Sequence, residues 1–168
     1  MDIIKWNEYF LQIAKTVALR SNCIRAQVGA VIVGEDKKIK ATGYNGTPSK
    51  VVSCAEIGKC YRIENNIPSG TRYETCRSIH AEQNAIIQAG QDRCQNATMY
   101  IYGHNFICIL CKRFIAQAGI KEVYYSRRNN KDMVYKMEVR SLFNHVGISC
   151  IYLPFEEQAN GNNVVCNN

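Results

Sequence analysis

"ATMYIYGHNFICILCKRFIAQAGIKEVYYS", residues 97–126, sets two β-rich runs on either side of an amphipathic stretch. "ATMYIY" predicts a strand, Cys108 to Ala118 a helix with Gly119 as its C-terminal cap, and "IKEVYYS" a second strand. Strand, helix and strand in that order imply two parallel strands joined by a right-handed crossover. The alternation continues outward. Upstream, residues 80–89 predict a helix ending near Gly90; downstream, "NKDMVYKMEVRSLFNHVG" reads as a helix ending near Gly147, and "ISCIYL" as a last strand.

Towards the N-terminus, residues 5–20 carry Trp6, Tyr9, Phe10, Ile13, Ala14 and Val17 at helical spacing, which predicts an amphipathic first helix with those residues inward. "QVGAVIVGEDKKIKATGY" predicts a hairpin turning around Gly34, Glu35 and Asp36, an antiparallel edge to the sheet. The order is therefore α-β-β-α-β-α-β-α-β, an α/β fold with a mixed sheet of about five strands. At 168 residues, one domain over residues 1–155 accounts for the core. Residues 51–77 show no periodicity yet hold Cys54, Cys60 and Cys76, and an insertion of that length needs something to order it. The Asn-rich residues 156–168 predict a poorly ordered tail.

Hydrophobic residues at 46% and charged residues at 21% match an ordinary globular protein. No window approaches a membrane-spanning length, and "MDIIKWNEYF" lacks a basic stretch followed by a long apolar run, so a cytosolic protein is expected. The net charge of +7 by its sign favours polyanions or phosphorylated small molecules, and its spread along the chain reads instead as a solvated basic surface. Nine cysteines, an odd number in a chain able to build its own core, favour metal binding over a disulfide framework.

His80 stands at the mouth of one predicted helix and "CILC", Cys108 to Cys111, opens the next. Cysteines three apart on a first helical turn can face one ion, with the helix N-terminus stabilising their thiolates. A histidine from a neighbouring helix start completes three ligands and leaves a fourth tetrahedral position for water, the arrangement of catalytic zinc. Glu82, two residues beyond the histidine, is left to work as a base. An isolated histidine before a helix is usually a capping residue, and an isolated C-x-x-C can be redox-active. Together, at successive helix starts, H-x-E and C-x-x-C form the signature of zinc-dependent nucleobase deaminases. Ile107 stands where that signature has proline, a change that removes no ligand, and His104 is an alternative ligand.

"SNCIRAQVGAVIV", "ATGYNGTPS", "CRSIHAEQNAII" and "QAGIKEVYYS" resemble deoxycytidylate deaminase segments in the same order, across most of residues 10–153. The resemblance implies the cytidine deaminase-like three-layer α/β/α fold, conversion of dCMP to dUMP and ammonia, and homo-oligomers, commonly hexamers, that dCTP activates and dTTP inhibits. It implies zinc on His80, Cys108 and Cys111, with Glu82 passing protons to N3 and then to the departing amino group. It places Asn45 against the sugar, the backbone at Ala81 against the base, Arg25 or Gln27 at the phosphate, and Tyr124 or Tyr125 either stacked on a base or in the core. Gly43, Tyr44, Asn45 and Gly46 match the effector segment, where a triphosphate would bring Mg; the other reading of those glycines is a turn using positive φ. Cys23 and Cys54 match positions of a structural zinc that Cys60 and Cys76 would complete, departing from patterns that use histidines there. Rival readings are deamination of dCTP, cytidine or a base in tRNA, and a zinc-stabilised binding module without turnover. The insertion and "GYNGTP" disfavour a nucleic-acid substrate, and retention of Glu82 disfavours loss of turnover.

Overall fold

The computed structural model describes residues 2–104, 106–126 and 140–154. The expected tail and the first part of the helix expected from residue 130 lie outside the described residues. Five strands, β1 (Gly29–Val33), β2 (Ile39–Tyr44), β3 (Thr98–Tyr102), β4 (Glu122–Ser126) and β5 (Ser149–Tyr152), form one sheet in the order β2-β1-β3-β4-β5. β1 runs antiparallel to both β2 and β3, while β3, β4 and β5 are parallel, so the predicted hairpin does supply the antiparallel edge.

Helix α1 (Trp6–Ala18) covers one face of the sheet, where Val31 and Val33 of β1 and Tyr100 and Tyr102 of β3 meet Phe10, Leu11, Ala14 and Ala18. The alternate residues Ala30, Ile32, Met99 and Ile101 face the second layer. That layer is built by α4 (Ala81–Ala89), α6 (Ile109–Gln117) and α7 (Arg140–His145), with the short α5 (Gln91–Cys94) leading from α4 into β3. Side chains alternate along a strand, so a strand covered on both faces is apolar throughout, as "GAVIV" is. This is the expected α/β/α sandwich with its five-stranded mixed sheet.

The buried side of α1 differs from the sequence expectation. Trp6 is 55% and Tyr9 40% exposed, while Leu11 is 2% exposed. Close approach decides the face: a Cβ on Gly29 would collide with the Ala14 carbonyl, so α1 turns its small residues to β1 and Leu11 comes inward with them. Trp6 then lies outside, stacked on Phe10 at 5.6 Å. The tyrosine hydroxyl of Tyr100 donates to Asn7 Oδ1 at 2.8 Å and ties the start of α1 to the sheet.

Residues 51–77 are not structureless. They hold two one-turn helices, α2 (Cys54–Ile57) and α3 (Tyr61–Glu64), and a 3-10 turn over Tyr73–Thr75. Ser53 and Glu56 cap α2 reciprocally: Glu56 N–H donates to Ser53 Oγ at 3.2 Å, and Ser53 N–H to Glu56 Oε2 at 2.7 Å. Elements this short carry no helical period, which is why the sequence showed none.

Candidate functional site

α4 begins directly after His80, whose own N–H donates to Gln83 Oε1 at 3.1 Å. α6 likewise begins after Cys108, whose Sγ accepts the Cys111 N–H at 3.4 Å, a sound cap without the proline. Ile107 is instead buried in the core shared by α4 and α6. α4 is held close to the sheet because β2 presents Gly43 to it. Any Cβ there would strike the Ala81 carbonyl and the Ala85 N–H, and Asn84 Nδ2 donates to the Tyr44 carbonyl at 2.8 Å.

The two helix starts bring His80 Nδ1 within 3.3 Å of Cys111 Sγ and 3.4 Å of Cys108 Sγ, all donor atoms lying within 4.8 Å of one another. Donors held about 2.0–2.3 Å from one ion at tetrahedral angles stand about 3.5 Å apart, so this set fits zinc. His104 is not in the set; its ring centroid lies 6.4 Å from that of His80. Cys108 is pulled down to about 4, chiefly because it accepts from the Cys111 thiol and then from His80, against the effect of burial. Cys111 is pushed up by that same bond to Cys108, by burial and by the charge of Glu82. Burial pulls His80 down, but its bond to Cys108 and the nearby Glu82 charge outweigh this and raise it. Burial lowers His104 despite those same anions.

Glu82 is 1% exposed and its Oε2 has no hydrogen-bond partner among the described residues. A buried carboxylate oxygen without a partner is costly, and its position beside three metal-type donors supplies the reason for keeping it. The pocket over this cluster is lined by Glu82, His80 and His104, and also by Arg25, Asn45 and Ala81. Its other wall comes from the insertion, through Cys54, Cys60, Arg62, Tyr73 and Cys76, with Cys23 and Ser78 beside them. Tyr73 stands edge-on to His80 at 4.8 Å, and the Arg62 guanidinium lies 4.9 Å from the other member of that contact, the Tyr73 ring centroid.

The remaining expected residues divide. Arg25 lines the pocket with Nη2 donating to the Ile67 carbonyl at 2.9 Å, whereas Gln27 is not among the lining residues. Asn45 lines it too, but Oδ1 accepts from Val28 N–H and Nδ2 donates to the Ala26 carbonyl, both at 2.8 Å, so the amide braces the loop before β1. Tyr124 lies on the opposite face of the sheet, stacked on Tyr100 at 5.3 Å beneath α1. Register sets this: Tyr124 pairs with Tyr100, whose side chain faces α1, and no base reaches it from the pocket. In "GYNG", Gly43 serves close packing and Gly46 pairs with Ile79, and neither has a positive φ. Cys54 is pushed up by burial and then by the proximity of Cys60, Cys23 and Cys76. All four cysteines line the same pocket, but the compact metal-type donor group among the described residues is the one at His80.

Arg62, Tyr73 and Ser78 were missed by sequence reasoning. Their signal, an arginine and an aromatic residue among cysteines in an aperiodic stretch, does not say that they face the pocket.

Residues 4–127 match the family model described as the cytidine and deoxycytidylate deaminase zinc-binding region. The chain is 41% identical over 127 residues to deoxycytidylate deaminase of Schizosaccharomyces pombe, covering 76% of this chain and 38% of that protein. It is 39% identical over 156 residues to deoxycytidylate deaminase of Saccharomyces cerevisiae, covering 91% of this chain and 46% of that one. The chain thus spans less than half the length of either yeast relative. Among solved structures it resembles apo dCMP deaminase from the cyanophage S-TIM5, with a TM-score of 0.61, 25% identity, and coverage of 88% of this chain and 96% of that one.

Proposed function

This chain belongs to the cytidine and deoxycytidylate deaminase zinc-binding family, and from that premise we propose that it hydrolyses dCMP to dUMP and ammonia. The observation that carries the proposal is the buried Glu82 with its unpartnered Oε2 beside the His80, Cys108 and Cys111 donors. A zinc ion held by His80 Nδ1, Cys108 Sγ and Cys111 Sγ would supply Lewis-acid activation of water. Glu82 takes the proton of the attacking water and delivers it to N3 of cytosine, then carries a second to the amino group on C4. The C4–O bond forms, the C4–N bond breaks, and ammonia leaves. The burial that raises the cost of an idle carboxylate also strengthens each charge interaction it makes. In this reading Ala81, at the first turn of α4, offers its backbone to the base and Arg25 receives the phosphate, supported by the place of both among the residues lining the pocket.

The same reading includes a structural zinc on Cys23, Cys54, Cys60 and Cys76, supported by the place of all four cysteines in the lining of one pocket. It also includes a hexamer that dCTP, with Mg, activates and dTTP inhibits through Gly43, Tyr44, Asn45 and Gly46, supported by the family resemblance of "GYNG". Metal analysis giving two zinc ions per chain, sedimentation, and rates with each triphosphate test these in turn. Among the described residues no helix is long and apolar enough to cross a membrane.

The deciding experiment measures dUMP and ammonia formed from dCMP by the protein and by Glu82→Gln, both of known zinc content. Turnover that survives the substitution would falsify the proton-transfer role.

A further inference from the structure

Five of the six buried side-chain atoms that lack a hydrogen-bond partner among the described residues belong to residues lining the pocket. One is Glu82 Oε2; the others are Arg25 Nη1, Arg62 Nε, Tyr73 OH and Ser78 Oγ. All four of these can donate. Arg62 is 6% exposed, and its Nη2 donates to the carbonyls of Pro68 at 3.0 Å and Thr71 at 2.6 Å. Arg25 Nη2 donates to the Ile67 carbonyl, so two guanidinium groups are tied to consecutive residues of one loop. Among the described residues neither has a carboxylate within ion-pair distance. Among the described residues the only carboxylate lining the pocket is Glu82.

Fastening the loop explains Arg62 Nη2 and leaves Nε unexplained. Two like charges tied to one loop, Arg62 buried and Arg25 half-buried, each with a buried donor atom left over, are costly unless an anion completes them. We infer that Arg62, carried by the cysteine-rich insertion, is a specificity residue that receives the substrate's phosphate monoester together with Arg25. A doubly charged tetrahedral anion matches two guanidinium groups, which offer fixed, planar donors. Tyr73 lies between Arg62 and His80 and sets the separation of the anion end from the metal end. Ser78 Oγ, two residues before His80, is a further donor to the same ligand.

The inference rests on the deaminase reading for the base, and on the unpartnered donors for the anion. Its test therefore includes a readout that needs no turnover. Titration calorimetry on zinc-loaded protein compares dUMP with deoxyuridine, and rates compare dCMP with deoxycytidine, for wild type, Arg62→Gln and Arg62→Lys. Arg62→Gln is expected to weaken dUMP about 10–100-fold and leave deoxyuridine unchanged, with Arg62→Lys between the two. Equal losses on nucleotide and nucleoside would make Arg62 a loop fastener and overturn the inference, as would unchanged dUMP binding or a wild type that binds both alike. If Arg62→Gln fails to fold, the same ratio in Arg62→Lys decides. A wild type that deaminates neither substrate, yet loses dUMP affinity in the variants, would sink the deaminase reading and leave the phosphate site standing.

Discussion

His80, Cys108 and Cys111 stand at the starts of helices fastened to a sheet, whereas Arg62 and Tyr73, across the same pocket, stand on one-turn helices and loops fastened by arginine-to-carbonyl bonds. The first wall draws its accuracy from the core, where Ala81, Ala85 and Cys111 are wholly buried. The second buries fewer side chains, Cys54, Cys60 and Ile67 among them, and turns through positive φ at Gly58, Asn66, Gly70 and Arg72. The contrast follows the demands of the chemistry. Metal donors must keep their spacing to a few tenths of an ångström, while an anion clamp made of long side chains tolerates adjustment.

If the first wall is a metal centre and the second a recognition surface, their substitutions separate cleanly. The largest effect is expected from Cys111→Ala, which removes a ligand of the His80 site: one zinc per chain and dCMP turnover should vanish together, and a variant that keeps the full metal content of the wild type by mass spectrometry would break the assignment. Glu82→Gln comes next, with turnover down by about 10²–10⁴-fold while zinc content and melting temperature hold. On the other wall Gly70→Ala forces a side chain to φ +87° and towards Phe106. It should cost about 1–2 kcal/mol in urea unfolding and leave the zinc at His80, Cys108 and Cys111 untouched; loss of that zinc would show that the two walls are not independent. Arg72→Ala should do least. Its 3.7 Å contact with Glu74 is between exposed side chains, and an unfolding shift above about 1 kcal/mol would contradict a solvent-screened pair.

The same division explains what the sequence discloses. The starts of α4 and α6 were legible to within one residue, because a histidine or cysteine stands at the N-cap where each apolar helical pattern begins. The parallel run of β3, β4 and β5 followed from β-α-β alternation and the antiparallel edge from the hairpin, whereas the order β2-β1-β3-β4-β5 came from the structure. Periodicity tells which side chains share a face, and not which face meets which partner. Tyr124 and Tyr125 alternate on β4, and only the pairing of Tyr124 with Tyr100 sends the former beneath α1. The inward face of α1 was likewise decided by Gly29, a residue on another element. In the insertion, Arg62 lies far along the chain from Arg25, and the carbonyls that bring them together carry no side-chain identity to read.

Gly46 and Ile79 exchange backbone hydrogen bonds of 3.1 and 2.8 Å, a single rung that fastens together the two ends of the stretch between them. His80 follows immediately after that rung. A segment closed at its base in this way behaves as a cassette: its length and side chains can change while the histidine beyond the rung stays in place. Closing a longer loop adds only about 0.6 kcal/mol for each doubling of its length. Descent with modification thus has a place to rewrite what the pocket recognises without disturbing the chemistry next to it, and transplanting residues 47–78 between relatives is the corresponding route for engineering.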